Sequence, residues 1–152
     1  MLETIQPVSL FASKLSTNAI ELDLNARRYP LSFLVIVGDK WLKNTIHMNY
    51  LTQFGYGSGL ASDFNSGLKM LRENKFDVVI IDDKVQGIST EDLALKIKEI
   101  DPEVALILCK EGSPIGTTLD NIDVILNEPQ DLRRLKAALR FILPDEKKEF
   151  IF

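Results

Sequence analysis

The sequence has few of the side chains that form disulfide bonds or bind structural zinc. Among its 152 residues there are one cysteine, Cys109, and one histidine, His47. A single cysteine excludes an intrachain disulfide, and one cysteine with one histidine excludes a structural zinc site with four such ligands. His47 is typical of a surface or packed histidine rather than a metal ligand. The compartment expected for such a chain is the reducing cytoplasm.

The sequence also lacks a long apolar run and an excess of positive charge. No run approaches the roughly 18 residues that a membrane span needs, and residues 1–9 lack the basic start and apolar block of a signal peptide. A net charge of -4 offers no electrostatic basis for direct binding of nucleic acid or of an anionic membrane. The content of 45% hydrophobic and 26% charged residues suits a globular domain.

One stretch, Phe76-Asp77-Val78-Val79-Ile80-Ile81-Asp82-Asp83, predicts the centre of the fold. Its four consecutive β-branched apolar residues, without polar alternation, indicate a strand that is buried on both faces. Two carboxylates follow where that strand must end. Because ligands of open α/β sheets bind beyond the carboxyl ends of the strands, Asp82 and Asp83 are candidates for a site as well as for a polar loop.

The rest of the chain alternates strand and helix patterns. Further strands are predicted at residues 33–37, 57–62, 104–108 and 122–126, and helices at residues 41–54, 64–71, 89–100 and 132–143. Two glycines dilute the second strand, which suits an edge, and Pro114 and Gly116 disfavour a full helix between the last two strands. Asp63 and Ser89 are expected to cap the helices that follow them. This order predicts an α/β fold, a doubly wound five-stranded parallel sheet.

The two ends of the chain do not follow this alternation. Residues 1–30 are expected to form an N-terminal extension, a strand or hairpin, ahead of a domain at residues 31–144. Extra strands commonly pair with a sheet edge, so the extension predicts a homodimer. Residues 145–152 form a C-terminal tail whose apolar end either docks on the body, docks on a partner or stays loose.

Three stretches of the sequence together resemble one family. The run from Asp77 to Asp82, followed by Gly87 and a capped helix, resembles the phosphoacceptor segment of two-component response regulator receiver domains. Leu34-Val35-Ile36-Val37-Gly38-Asp39 resembles their first strand, and Asn127-Glu128-Pro129 resembles their last strand, which ends in a Lys-Pro step. The resemblance covers residues 31–143 and implies a flavodoxin-like fold of the receiver type.

In that family an aspartate accepts a phosphoryl group from a histidine kinase beside a bound magnesium ion. The resemblance implies that Asp82 is the phosphoacceptor. It also implies that Mg²⁺ would be held by Asp39, Asp82 and the backbone carbonyl of Lys84. A hydroxyl on the fourth strand and a lysine on the fifth hold the phosphoryl oxygens, because anionic oxygens need donors and a cation.

This sequence departs from the family at four of the positions that matter. Gly38 replaces the first acid, Cys109 the hydroxyl, Glu128 the lysine, and Ile125 the aromatic whose rotation reports phosphorylation. At about 4 Å and an intermediate dielectric, a Glu128 carboxylate beside phosphoryl oxygens would cost on the order of several kcal/mol. Phosphotransfer and its readout are therefore both expected to be impaired.

The acids at the strand ends could be compensated by a bound cation, by a proton or by a nearby lysine. Asp39, Asp82, Asp83 and Glu128 together offer the oxygen ligands that a divalent cation prefers. Without a cation, their mutual repulsion favours protonation of one of them. Lys40 or Lys110 is a candidate to replace the missing lysine, although both are typical of solvated side chains.

Two functions follow from these observations. The first is a degenerate receiver, or pseudo-receiver, that is not an enzyme and acts as a phosphorylation-independent interaction module for a signalling protein. The alternative is a divergent but functional receiver that accepts a phosphoryl group on Asp82 from a histidine kinase. A third reading, a nucleotide- or anion-binding flavodoxin-like domain, lacks support because no glycine-rich loop follows the first strand.

Overall fold

The computed structural model describes residues 31–151, in which five strands and their connecting helices form one α/β unit. The strands are β1 (Ser32–Ile36), β2 (Gly57–Ala61), β3 (Val78–Asp82), β4 (Ala105–Cys109) and β5 (Val124–Leu126). The helices are α1 (Lys40–Lys43, continued by a π-helix over Asn44–Leu51), α2 (Phe64–Glu73), α3 (Thr90–Ile100), α4 (Leu132–Ile142) and α5 (Asp145–Lys148).

The five strands form one parallel sheet in the order β2-β1-β3-β4-β5. The predicted doubly wound sheet is therefore confirmed, with β3 at its centre and the glycine-rich β2 at an edge. The strand order reverses between β1 and β3, and such a switch point opens a crevice at the carboxyl ends of the strands.

The core lies in two layers because alternate residues of each strand point to opposite faces of the sheet. Phe33, Val35 and Ile80 pack with α1 and α4 on one face. Leu34 and Ile81 pack with α2 and α3 on the other. All five residues of β3 are buried, which explains why its sequence shows no polar alternation.

The helices begin where the sequence places capping residues, with one difference. Asp63 and Ser89 accept backbone N–H groups as the N-caps of α2 and α3, as predicted. The first helix was expected over residues 41–54, but it begins at Lys40, because Asp39 caps it, and its π-helical part ends at Leu51. The chain then turns, and the N–H of Gly55 donates to the carbonyl of Thr52.

The segment between β4 and β5 and the C-terminal tail complete the described residues. No helix lies between β4 and β5, as predicted, but turns extend over residues 110–123, so β5 begins at Val124 rather than at residue 122. The tail docks on the body: Ile151 is buried in the core, and the Tyr56 hydroxyl donates to the Phe150 carbonyl at 2.7 Å. The Lys147 ammonium also lies 3.7 Å from Asp77. The predictions for residues 1–30, a strand or hairpin that pairs two copies, lie outside the described residues.

Across residues 31–151, no helix combines the length and the apolar character that crossing a membrane requires.

Candidate functional site

A pocket opens at the carboxyl ends of β1, β3 and β4, where the sequence placed its candidate site. It contains three of the four predicted acids. The residues that line it are Asp39, Trp41, Leu42, Asp82, Asp83, Lys84, Cys109, Glu111, Pro129 and Gln130.

The Asp82 carboxylate lies at the bottom of this pocket and is held by backbone amides. Its side chain is buried, with the residue only 2% exposed. Oδ1 accepts the N–H of Gly38 at 2.9 Å and that of Lys84 at 3.0 Å, and Oδ2 accepts the N–H of Asp39 at 3.0 Å. An ionised carboxylate is tolerated at such burial only when hydrogen bonds replace its water. Asp82 therefore ties the end of β3 to the loop that follows β1.

The Asp39 carboxylate is engaged in two other contacts. Its Oδ1 accepts the N–H groups of Trp41 at 2.9 Å and Leu42 at 3.1 Å, which makes it the N-cap of α1. Its Oδ2 lies 3.8 Å from the Lys84 ammonium, which is 60% exposed. At this distance and exposure the ion pair is weak. Asp39 thus serves mainly as a helix cap.

The backbone of Lys84 packs directly against Gly38. A Cβ atom at position 38 would collide with the carbonyl oxygen and carbon of Lys84. The same carbonyl accepts a long hydrogen bond of 3.4 Å from the Gln86 side chain. An acidic side chain therefore has no room at position 38, and the carbonyl that the resemblance assigns to a metal ion is turned toward Gly38.

The predicted ligands do not fit Mg²⁺ in this arrangement. Mg²⁺ requires near-octahedral oxygen ligands at about 2.0–2.1 Å. Asp39 caps a helix, both oxygens of Asp82 accept backbone N–H groups, and the Lys84 carbonyl faces Gly38. Within the described part of the chain, no three His, Cys, Asp or Glu side chains are grouped to hold a metal ion.

Cys109 lies where receiver domains carry a hydroxyl, and it is 1% exposed. Burial raises the pKa of its thiol well above the ordinary value, and the carboxylates of Asp82 and Asp83 raise it further. The thiol is therefore neutral. It provides neither a thiolate nucleophile nor an anionic metal ligand.

The position of Glu128 corrects part of the sequence reasoning. Its Oε1 atom accepts from the Arg134 Nε at 2.7 Å, and the residue does not line the pocket. The repulsion expected from its carboxylate is therefore offset by an arginine. Asp39, Asp82 and Asp83 line one pocket, and Glu128 does not join them. Ile125 is partly buried and packs against the core layer formed with α2 and α3.

The sequence did not identify two charged side chains of the pocket, Lys84 and Glu111. Lys84 was assigned only a carbonyl, yet its side chain lines the pocket, whereas Lys40 and Lys110 do not. Glu111 also lines it. Both residues lie two positions beyond the end of a parallel strand, and that position is the signal that could have identified them.

Comparison with known proteins gives one curated relative and several solved structures. The transcriptional regulatory protein AfsQ1 of Streptomyces coelicolor is 25% identical over 121 residues. That alignment covers 78% of this chain and 53% of AfsQ1, so the chain spans about half the length of this relative. No protein-family model matches the chain.

Two solved structures share the fold. A response regulator receiver domain protein from Clostridium thermocellum superposes with a TM-score of 0.65 at 24% identity, covering 80% of this chain and 99% of the other. The response regulator TrrA of Thermotoga maritima, in complex with Mg²⁺-BeF, has a TM-score of 0.65 at 22% identity, covering 74% and 99%. The described residues thus share the flavodoxin-like fold of these receiver domains, and the chain is similar in sequence to AfsQ1 over about half of that protein's length.

Proposed function

We propose that this chain is a degenerate receiver that acts as a phosphorylation-independent protein-interaction module in signal transduction. The observation that supports this most is the environment of Asp82. Its two carboxylate oxygens accept three backbone N–H groups, from Gly38, Asp39 and Lys84. In this arrangement the carboxylate is a structural anchor of the loop after β1.

Phosphoryl transfer to Asp82 would weaken that anchor, because a carboxylate oxygen that bonds phosphorus loses its charge and becomes a poorer hydrogen-bond acceptor. A nucleophilic carboxylate oxygen needs a free lone pair aimed at phosphorus and a cation that neutralises the transferring oxygens. Hydrogen bonds to a charged group contribute about 1.5–3 kcal/mol each, and donors left unpaired inside the protein add to the cost. The Lys84 ammonium, 3.8 Å from Asp39 and mostly exposed, is a weak replacement for a metal ion.

The same features argue against an enzymatic role, and we propose that the chain is not an enzyme. Its buried thiol is neutral because burial raises the pKa of Cys109. The partner that we propose is another signalling protein, either a histidine kinase or an output protein. With a net charge of -4, the chain has no electrostatic basis for binding nucleic acid directly.

A second candidate is a divergent receiver that binds Mg²⁺ through Asp39 and Asp82 and accepts a phosphoryl group from a histidine kinase. Two observations favour it. Four carboxylates line one pocket, those of Asp39, Asp82, Asp83 and Glu111, and the similar fold of TrrA was solved with Mg²⁺-BeF. This candidate requires the Lys84 carbonyl and the Asp39 cap to rearrange when the ion binds.

Trp41 provides a test of metal binding that separates the two candidates. It lines the pocket and is 61% exposed, so its fluorescence should report an ion bound beside Asp39. We expect magnesium chloride at millimolar concentration to change this fluorescence no more than sodium chloride of equal ionic strength. A magnesium-dependent quench that disappears in Asp82→Asn would favour the second candidate, and Asp83→Asn is the matched control.

A further inference from the structure

The exposed face of α3 carries an acidic stripe with an apolar centre. Glu91, Leu95 and Glu99 follow one another at four-residue spacing, so they lie along one line of the helix surface. Leu95 is 45% exposed, and Asp92 lies exposed beside the line. Glu91 and Glu99 form no ion pair with any residue between 31 and 151.

The exposed face of α4 has the same spacing and the opposite charge. Arg133, Ala137 and Phe141 follow at four-residue intervals, with Arg134 and Arg140 beside them. Arg133 is already paired with Asp131 at 3.3 Å and Arg134 with Glu128 at 2.7 Å, although both arginines remain exposed. The helix contains four basic residues and no acidic one, in a chain whose net charge is -4. Phe141 is 79% exposed, and Arg140 has no ion-pair partner among the described residues.

A groove beside Leu95 is large enough to receive an aromatic ring. It has a volume of about 480 Å³ and is lined by Leu95, Lys98, Glu99, Pro102, Asn121 and Asp123. One wall is α3, and the other is the helix-free segment that leads into β5. Lys98 is paired with Asp123 at 3.0 Å, which leaves Glu99 as the unpaired charge of the groove.

We propose that α4 of one molecule docks on α3 of a second copy of the chain, with Phe141 in the groove beside Leu95. With the two helices parallel, the shared four-residue spacing brings three pairs together: Arg133 and Glu91, Ala137 and Leu95, and Phe141 and the groove at Glu99. A small residue then faces a large one at the centre, as helix packing requires. The contact uses neither Asp82 nor its pocket, so it is independent of the function proposed above.

The two helices lie on opposite layers of the sheet, so the contact is heterologous. In a pair, one molecule keeps an unused α3 face and the other keeps an unused α4 face, so association continues with concentration rather than stopping at a dimer. The matched stripes are only about 12 Å long. Their charges are exposed, so the contact should be weak and should weaken further with salt.

The test uses the full chain and two variants, each of which keeps one of the two surfaces intact. One variant carries Arg140→Gln and Phe141→Ser on α4, and the other carries Leu95→Ser and Glu99→Gln on α3. Sedimentation velocity at low ionic strength then compares each variant alone with their equimolar mixture. The mixture contains one intact α3 face and one intact α4 face, so we expect it to form a two-copy complex that neither variant forms alone.

The wild-type chain should show a mass that rises with concentration. Lys69→Glu, a charge change on the exposed surface of α2, is the control and should associate as the wild type does. Equal association of both variants and of their mixture would overturn the proposal, since it would place the contact elsewhere, for example in residues 1–30. A wild-type mass independent of concentration would also overturn it. Far-UV circular dichroism verifies that the variants are folded.

Discussion

At the scale of single residues, Asp82 lies where the resemblance to receiver domains places a phosphoacceptor, and it has the contacts of a structural carboxylate. Its position was readable from the sequence, because a buried strand ends in an acid at the crevice of an α/β sheet. Its hydrogen-bond partners could not be read from the sequence. They are the backbone N–H groups of Gly38, Asp39 and Lys84, and every non-proline residue has such a group. The side chain alone therefore did not reveal its role.

The same limit applies to Lys84 and Glu128. The side-chain direction of Lys84 depends on the tight turn in which its N–H donates to Asp82. The partner of Glu128, Arg134, lies six residues later and on the other side of a helix start, so no helical spacing relates the two. Gly38 is different. A glycine at the end of a strand predicts a close backbone approach, and the Lys84 carbonyl makes it.

We predict that removing the Asp82 carboxylate destabilises the fold. Asp82→Ala should lower the free energy of unfolding by about 2–3 kcal/mol, because three partly buried backbone donors lose their acceptor. Asp82→Asn should cost less, because one carbonyl oxygen remains. Asp83→Asn, an exposed neighbour, should stay within about 0.5 kcal/mol of the wild type. Urea denaturation measures all three, and a wild-type stability for Asp82→Ala would rule out the anchor role.

Restoring the family's acid at position 38 should not create a metal site. Gly38→Asp and the control Gly38→Ala should both lose about 1–3 kcal/mol of stability, because each Cβ meets the backbone of Lys84. Thermal unfolding with and without magnesium chloride distinguishes the outcomes. Stabilisation of Gly38→Asp alone by magnesium would mean that the Lys84 carbonyl can turn toward an ion.

Cys109 should make the fold less stable in alkali. Burial raises the pKa of its thiol in the folded chain above the ordinary 9.0. Below pH 9.0 both states keep the proton, whereas above it only the unfolded chain loses the proton, so the unfolded state is favoured. The free energy of unfolding should therefore fall by up to about 1.4 kcal/mol per pH unit.

Urea titrations from below to above pH 9.0 measure this loss. In Cys109→Ala, the free energy of unfolding should stay nearly constant up to about pH 10.0. Above that pH Tyr50 also contributes, because burial raises the pKa of its hydroxyl above the ordinary value of 10.0. An identical decline in the variant would assign the effect to other groups.

At the scale of elements, the strands followed from the sequence and the first helix did so only in part. A continuous apolar run specifies a strand buried on both faces, and Asp63 and Ser89 specified two helix starts through their capping oxygens. The sequence did not predict the π-helical part of α1, Asn44–Leu51. A π-helix has wider turns than an α-helix, but its apolar residues still lie on one side, so the sequence pattern does not distinguish the two.

The tail is an element whose docking the sequence left open. Its buried contact is one side chain, Ile151, beside the hydrogen bond from Tyr56 to Phe150. We expect Ile151→Ala to cost about 2 kcal/mol in unfolding free energy through the cavity that it leaves. Ile115→Ala is the matched control, because Ile115 is 90% exposed, and should have little effect. Equal effects of the two substitutions would mean that the tail does not stabilise the body.

At the scale of the whole molecule, the fold could be predicted because it depends on the pattern of apolar and polar residues along the chain. The hydrogen bonds and ion pairs of the candidate site could not be predicted, because they depend on contacts between distant residues. Five strands, of which four are each followed by a helix, leave few topologies, and the observed order has its switch point between β1 and β3. The same fold supports a working receiver and an inactive one. The difference lies in a few contacts of Asp39, Asp82 and Lys84, none of which changes the sheet.

The central claim, that the Asp82 carboxylate is an anchor and not a phosphoacceptor, is tested most directly with a small phosphodonor. The full chain is incubated with acetyl phosphate and magnesium chloride, beside a receiver domain that accepts phosphate and beside Asp82→Asn. Intact-mass analysis follows at once. We expect an unmodified mass for the wild-type chain while the control receiver is phosphorylated. A stable adduct of one phosphoryl group on the wild type, absent from Asp82→Asn, would contradict it.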